Sequence, residues 1–180
     1  FGQAATKSAP LRVKKTNDGI IVHRWMLDVE PAPFYKKVVG FDGNCDRLQH
    51  YEVRYPSNAL IKAVFTPAGT GGSEGKLHDD VFIMDSYNFM TPVTESKTRY
   101  YWFQLRNIRP DDSALSQLMT DDVQQAFEED RNVLNEVQKG MTNKTSPHID
   151  LPIDAGQLRF RRQLQAMINE EEQVDKQMAQ

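Results

Sequence analysis

The chain has 180 residues and only one cysteine, Cys45. A lone thiol can neither close an internal disulfide nor build an all-cysteine zinc or iron–sulfur site, so a reducing, cytoplasmic setting fits best. No apolar run approaches the roughly 20 residues that span a bilayer. The N-terminus lacks the basic and then apolar stretch of a signal peptide, and no membrane partner is expected. Basic excess is missing too: 22 Lys and Arg stand against 25 Asp and Glu, a net charge of -3. Nucleic-acid binders gather cations on one face, so no nucleic-acid partner is expected, and the cluster Arg159, Arg161 and Arg162 reads as a solvated helix face. The first residue is Phe1 and not Met, which leads us to expect sequence upstream.

Nucleophile and phosphate motifs are also scarce. No serine sits in a nucleophile elbow, and nothing around Cys45 signals a depressed thiol pKa. The glycine-rich stretch AGTGGSEGK at 68–76 misses the Walker A spacing. Thr70 stands where a glycine is needed and Leu77 where Ser or Thr must follow the lysine, so the stretch reads as a flexible connection. His23, His50 and His148 are isolated in sequence. His78 and Asp80, two residues apart, read as a surface pair.

What is present is a change of period. Strand candidates run at 18–26, 47–55, 60–67, 80–90 and 98–108, rich in β-branched and aromatic residues and separated by turn chemistry. In the first of them Ile21, His23 and Trp25 alternate with Ile20, Val22 and Arg24, and the PAP at 31–33 ends it. From residue 111 onward the spacing is helical. Asp111, Asp112 and Ser113 offer N-caps to a short helix carrying Leu115, Leu118 and Met119; Thr120 caps a second at 121–140, with Gly140 as its stop. After a loop holding Pro147 and Pro152, Asp154 and Gln157 suggest a capping box before a last helix with Leu158, Phe160, Leu164 and Met167. The acidic tail is expected to fray. Strands followed by helices predict one α+β domain over 1–180, a curved antiparallel sheet packed against C-terminal helices in the helix-grip manner of START and Bet v 1 folds. An apolar pocket is expected between sheet and helix.

Within the second helix, Val123, Phe127, Leu134, Val137 and Met141 define an apolar stripe. Asp130 falls on it, three after Phe127 and four before Leu134, while Glu128 and Glu129 turn away by roughly 200 and 100 degrees. A carboxylate facing inward must be paired, hydrogen-bonded, protonated or metal-bound. The pattern alone leaves three readings open: a bond to Arg99 or Arg106 from the sheet, a metal ligand, or a boundary position.

Four segments in order, GIIVHRWMLDVEPAPFY, TPVTESKTRYYWFQLRN, AFEEDRNVLNEVQKG and DAGQLRFRRQLQAMINEEE, resemble the C-terminal catalytic domain of Rieske non-haem iron oxygenases. The branch they resemble includes vanillate O-demethylase oxygenase and dicamba monooxygenase. The resemblance implies a mononuclear Fe(II) held by two histidines and one aspartate, with open positions for O2. The aspartate belongs to the Glu-Asp pair of the helix after the aromatic strand, which corresponds to Asp130. The two histidines are expected upstream of this chain, and a Rieske [2Fe-2S] cluster further upstream still. Arg99 stands where some relatives have His, and no role is assigned to it. The resemblance further implies an aromatic substrate, an NAD(P)H-dependent reductase and a homotrimer for the parent, with residues 1–180 inactive by themselves. The alternative function is a non-catalytic helix-grip module that binds a hydrophobic or aromatic ligand.

Overall fold

Antiparallel pairing of consecutive strands organises the computed structural model, which describes residues 9–143, 145, 147 and 149–178. Six strands lie in one sheet in chain order: β1 (Arg12–Lys15), β2 (Gly19–Val29), β3 (Cys45–Arg54), β4 (Asn58–Pro67), β5 (Phe82–Thr94) and β6 (Lys97–Arg106). Each pairs antiparallel with the next. Between β2 and β3 a short helix, α1 (Pro33–Lys36), starts at a proline, whose fixed φ suits a first helical turn. The long helices α2 (Ser113–Thr142) and α3 (Ala155–Met178) follow the sheet. This is the α+β arrangement that the strand-then-helix order predicts.

Strand alternation divides the sheet into two faces. Ile20, Val22, Arg47, Gln49, Ala63, Phe65, Phe82, Met84, Ser86 and Asn88 share the face that carries the helices, as their register shows. The core forms at one end of that face, where Tyr35 of α1 meets Phe65 with centroids 4.3 Å apart and Phe65 meets Phe82 at 5.9 Å. Leu115 and Met119 of α2 close it. The buried Arg47 guanidinium lies 4.9 Å from the Tyr35 ring centroid and 5.2 Å from that of Phe65, where the ring faces attract its charge. At the other end α3 sits directly on β2. A Cβ on Gly156 would stand 2.5 Å from Val22 Cγ2, so only glycine permits this approach. Phe160 stacks on Tyr55 at 5.6 Å.

The opposite face is partly covered by the glycine-rich connection between β4 and β5, which contains a 3-10 turn at Gly72–Glu74. Gly71 and Gly75 take positive φ there, and Gly72 presses against Thr66 and Trp25. The buried Asp46 carboxylate ties this loop to the β2 end by accepting from Gly69 N at 3.0 Å and Asp28 N at 2.9 Å. The connection is therefore tied to the sheet through Gly69 and Gly72, while residues 73–76 are exposed.

Several sequence expectations are corrected. The fourth strand extends to Thr94, and β1 and α1 are both too short to show a periodic pattern. The two helices expected around Thr120 are one. Asp112 caps it through Leu115 N at 2.9 Å, whereas the Thr120 hydroxyl donates inside the helix to Ser116 O at 2.8 Å. That internal back-bond removes the need for a break. Gly140 does not stop the helix, which continues to Thr142 before Asn143. Asp154 accepts from Leu151 N at 2.8 Å, and so caps the 3-10 turn Pro152–Asp154 that precedes α3, not α3 itself. The tail expected to fray is helical through Met178.

Candidate functional site

The course of α2 decides which of its residues meet the sheet. Ser116 Oγ accepts from Arg106 Nη1 at 3.0 Å, and Phe127 further along packs edge-on to Trp102 at 5.1 Å and tilted to Tyr100 at 5.6 Å. The helix thus runs antiparallel to β6. Its rise from Ser116 to Phe127 is about 16 Å at 1.5 Å per residue. The run of β6 from Arg106 to Tyr101 is also about 16 Å at 3.3 Å per residue. β6 begins at Lys97, so from about residue 136 onward the helix has passed the start of that strand and has no described strand beside it.

That geometry corrects the expected apolar stripe. Val123 is buried and Phe127 half-buried, but Leu134, Val137 and Met141 are 64%, 48% and 60% exposed. Asp130 is exposed as well. Its two acidic neighbours are occupied along the helix surface, Glu128 with Arg131 and Glu129 with Gln125 Nε2 at 3.2 Å. Asp130 instead lies on the sheet side, near Tyr100. The Tyr100 hydroxyl donates to Asn88 Oδ1 at 2.6 Å, and the fully buried Asn88 is in turn held by its own amide nitrogen donating to Ser86 O at 3.0 Å. Burial pushes the Tyr100 phenol above its ordinary pKa, and the negative charge of Asp130 pushes it the same way.

Neither arginine proposed from the sequence answers Asp130. Arg106 is spent on the start of α2, where it donates to Ile108 O, Arg109 O, Asp112 O and Ser116 Oγ. Arg99 alternates with Tyr100 and so points to the face without helices. The histidines fall elsewhere. His23 and His50 are cross-strand partners with ring centroids 6.5 Å apart, on the face opposite α2. There His50 Nε2 lies 3.3 Å from Glu52 Oε2. This pair joins residues that look isolated in sequence, and only strand register reveals it. His78 Nδ1 lies 3.5 Å from Asp80 Oδ2 in the exposed loop before β5, which confirms a surface pair but places it outside any strand. His148 lies outside the described residues. The Cys45 thiol is buried, and desolvation pushes its pKa to about 11, which makes it a poor nucleophile.

Among the described residues no group of three His, Cys, Asp or Glu side chains is placed to hold a metal. A facial triad needs three such donors. The described side chains offer a single carboxylate, Asp130, beside the Tyr100–Asn88 pair. They do not by themselves fit a complete mononuclear iron site. No described helix is long and apolar enough to cross a membrane.

Comparison with known proteins gives this arrangement a context. The family model described as vanillate O-demethylase oxygenase C-terminal domain matches residues 1–170. A protein of Comamonas testosteroni described as a putative toluene-4-sulfonate monooxygenase system iron-sulfur subunit is 31% identical over 138 residues, covering 76% of this chain and 40% of its own length. A vanillate O-demethylase oxygenase subunit from a Pseudomonas species is 27% identical over 184 residues, covering 99% of this chain and 56% of its own. Among solved structures, dicamba monooxygenase bound to 3,6-dichlorosalicylic acid superposes with a TM-score of 0.77 at 19% identity, over 93% of this chain and 49% of that one. A second structure of that enzyme, with non-haem iron and dicamba, gives a TM-score of 0.65 at 19% identity, over 91% and 50%. The chain spans about half the length of these relatives.

Proposed function

The chain belongs to the vanillate O-demethylase oxygenase C-terminal domain family, and from that premise we propose that it is the catalytic-domain portion of a Rieske-type oxygenase. Its parent hydroxylates or O-demethylates an aromatic compound with O2. The observation that carries the reading is local: α2 sets one carboxylate, Asp130, a turn beyond Phe127 on the side of the Tyr100–Asn88 pair.

In this reading Asp130 supplies one ligand to a mononuclear Fe(II), and the two histidine ligands lie outside residues 1–180. When bound, that iron supplies O2 activation beside the substrate. An NAD(P)H-dependent reductase and a [2Fe-2S] cluster of the parent would supply electrons to it. This chain's own residues orient and shape. Asn88 fixes the Tyr100 hydroxyl, and Phe127 and Trp102 form an aromatic wall. A homotrimer of the parent in the cytoplasm completes the proposal.

The test is Asp130→Asn in the full-length polypeptide, with bound iron, substrate binding and product formation measured together. Loss of the mononuclear iron and of product formation is the expected result. Retention of both would overturn the ligand assignment. A protein that never carries mononuclear iron yet binds an aromatic ligand would instead establish the non-catalytic helix-grip module.

A further inference from the structure

One row across the outer face of the sheet, the face away from α2 and α3, is built of ionisable side chains. Register sets Arg12 of β1 opposite His23 of β2, His23 opposite His50 of β3, His50 opposite Lys62 of β4 and Lys62 opposite Asp85 of β5. Residues directly opposite on an antiparallel pair hold their Cβ atoms about 5 Å apart, and like charges so placed destabilise a sheet. Neutral imidazoles separate the cations Arg12 and Lys62. Protonated imidazoles would join them in an unbroken run of positive charge.

The remaining charges on this face are unevenly shared. Asp85 answers Lys62 at 3.1 Å, and Glu52 lies 3.3 Å from His50 Nε2 and 2.7 Å from Arg54 Nε. The adjacent row holds Lys14, Glu52 and Tyr87 with apolar Ile21 and Leu60 between them, and the row on the other side is Trp25, Leu48, Val64 and Ile83. The loop that meets Trp25 brings Glu74 and Lys76, which pair with each other at 3.2 Å. Among the described residues no acid forms an ion pair with His23. Burial lowers the His23 pKa, and the charges of His50, Arg12 and Lys14 lower it further. A histidine lowered in this way adds stability that is fully present above its ordinary value of 6.5 and is lost as pH falls through the folded value.

β1 is the strand with least to resist such a charge. It is four residues long, RVKK, and pairs with β2 from Arg12 to Lys15. Val13 and Lys15 belong to the helix face, where Arg159 Nη1 of α3 donates to Val13 O at 3.3 Å and Lys15 Nζ donates to Gln163 Oε1 at 2.9 Å. Arg12 and Lys14 belong to the histidine face. We propose that the row is a proton-sensitive seam: protonation of His23 loosens the pairing of β1 with β2 and, with it, the hold of β1 on α3. The seam runs between strands that pair within this chain, so it needs no uncovered edge, and it is independent of the iron-ligand assignment.

The experiment is residue-resolved hydrogen exchange on the full-length gene product from about pH 7.5 to about pH 5.5, with His23→Gln and Arg12→Gln beside wild type. Rates are expressed as protection factors, so that the intrinsic pH dependence of exchange cancels. The expected result is a several-fold fall in protection for wild-type amides of 12–15 and 20–23 as pH drops, with 61–65 and 83–86 unchanged. His23→Gln should abolish that fall, and Arg12→Gln should make it shallower. Wild-type protection that does not change with pH would overturn the proposal. So would a fall of full size in either variant, or one shared equally by β4 and β5, which would mark global destabilisation.

Discussion

Tyr100 reaches across the sheet surface to Asn88, and that one bond organises the neighbourhood of Asp130. Removing it with Tyr100→Phe leaves the buried Asn88 Oδ1 without its donor, at a cost of about 1–3 kcal/mol. Chemical denaturation of wild type and variant at neutral pH checks this. The pH dependence has a definite sign. A phenol whose folded pKa is raised adds stability that is fully present below its unfolded value near 10 and is lost as pH climbs through the folded value. The stability difference between wild type and Tyr100→Phe should therefore be constant from neutral pH to about 9 and shrink above 10. At this scale the sequence was partly legible. Helical phase separates Asp130 from Glu128 and Glu129 and puts it on the Phe127 side, where its charge acts on Tyr100. Its exposure was not legible, because phase gives direction around a helix and says nothing of whether a strand lies alongside. The His23–His50 contact was hidden for a related reason, since two residues far apart in sequence meet only through strand register.

At the scale of elements, α2 and α3 dock differently. α3 rests on β2 through Gly156, and Gly156→Ala would drive a methyl into Val22. Overpacking of this kind costs about 1–3 kcal/mol, so the thermal midpoint should fall by several degrees, with near-native ellipticity below the transition. The last two turns of α2 rest on nothing described, and Gly140 there has no atom within 4 Å of an added Cβ. Gly140→Ala gains about 1 kcal/mol of helix propensity. The gain is local, so amides of residues 134–142 should exchange several-fold more slowly while the global midpoint barely moves. Gly140 and Thr120 were misread as punctuation because each ends or starts helices when free to do so. Here a continuous run of helix formers and the Thr120 back-bond to Ser116 override them.

At the scale of the molecule, the order of strands and then helices was readable from the change of period, and the sheet order β1 to β6 follows from hairpins between consecutive strands. What could not be read was how far each helix is covered, since cover depends on strand lengths and the direction of crossing. The chain spans about half of the relatives it matches. Its described residues offer one carboxylate where a facial triad needs three donors. Residues 1–180 alone should therefore show no oxygenase turnover when supplied with iron, reductant and an aromatic acid. Stoichiometric iron binding with O2-dependent product would refute that.

Asp130 is proposed above as an iron ligand and not a structural residue, and its exposure makes that assignment cleanly testable. No described cation pairs with it, so Asp130→Asn should change stability by no more than about 0.5 kcal/mol. The deciding measurement is metal analysis of the full-length polypeptide and its Asp130→Asn variant, with the [2Fe-2S] absorbance and the unfolding midpoint recorded on the same samples. The variant should lose the mononuclear iron while keeping the cluster and the midpoint. A variant that keeps its mononuclear iron would rule out Asp130 as a ligand.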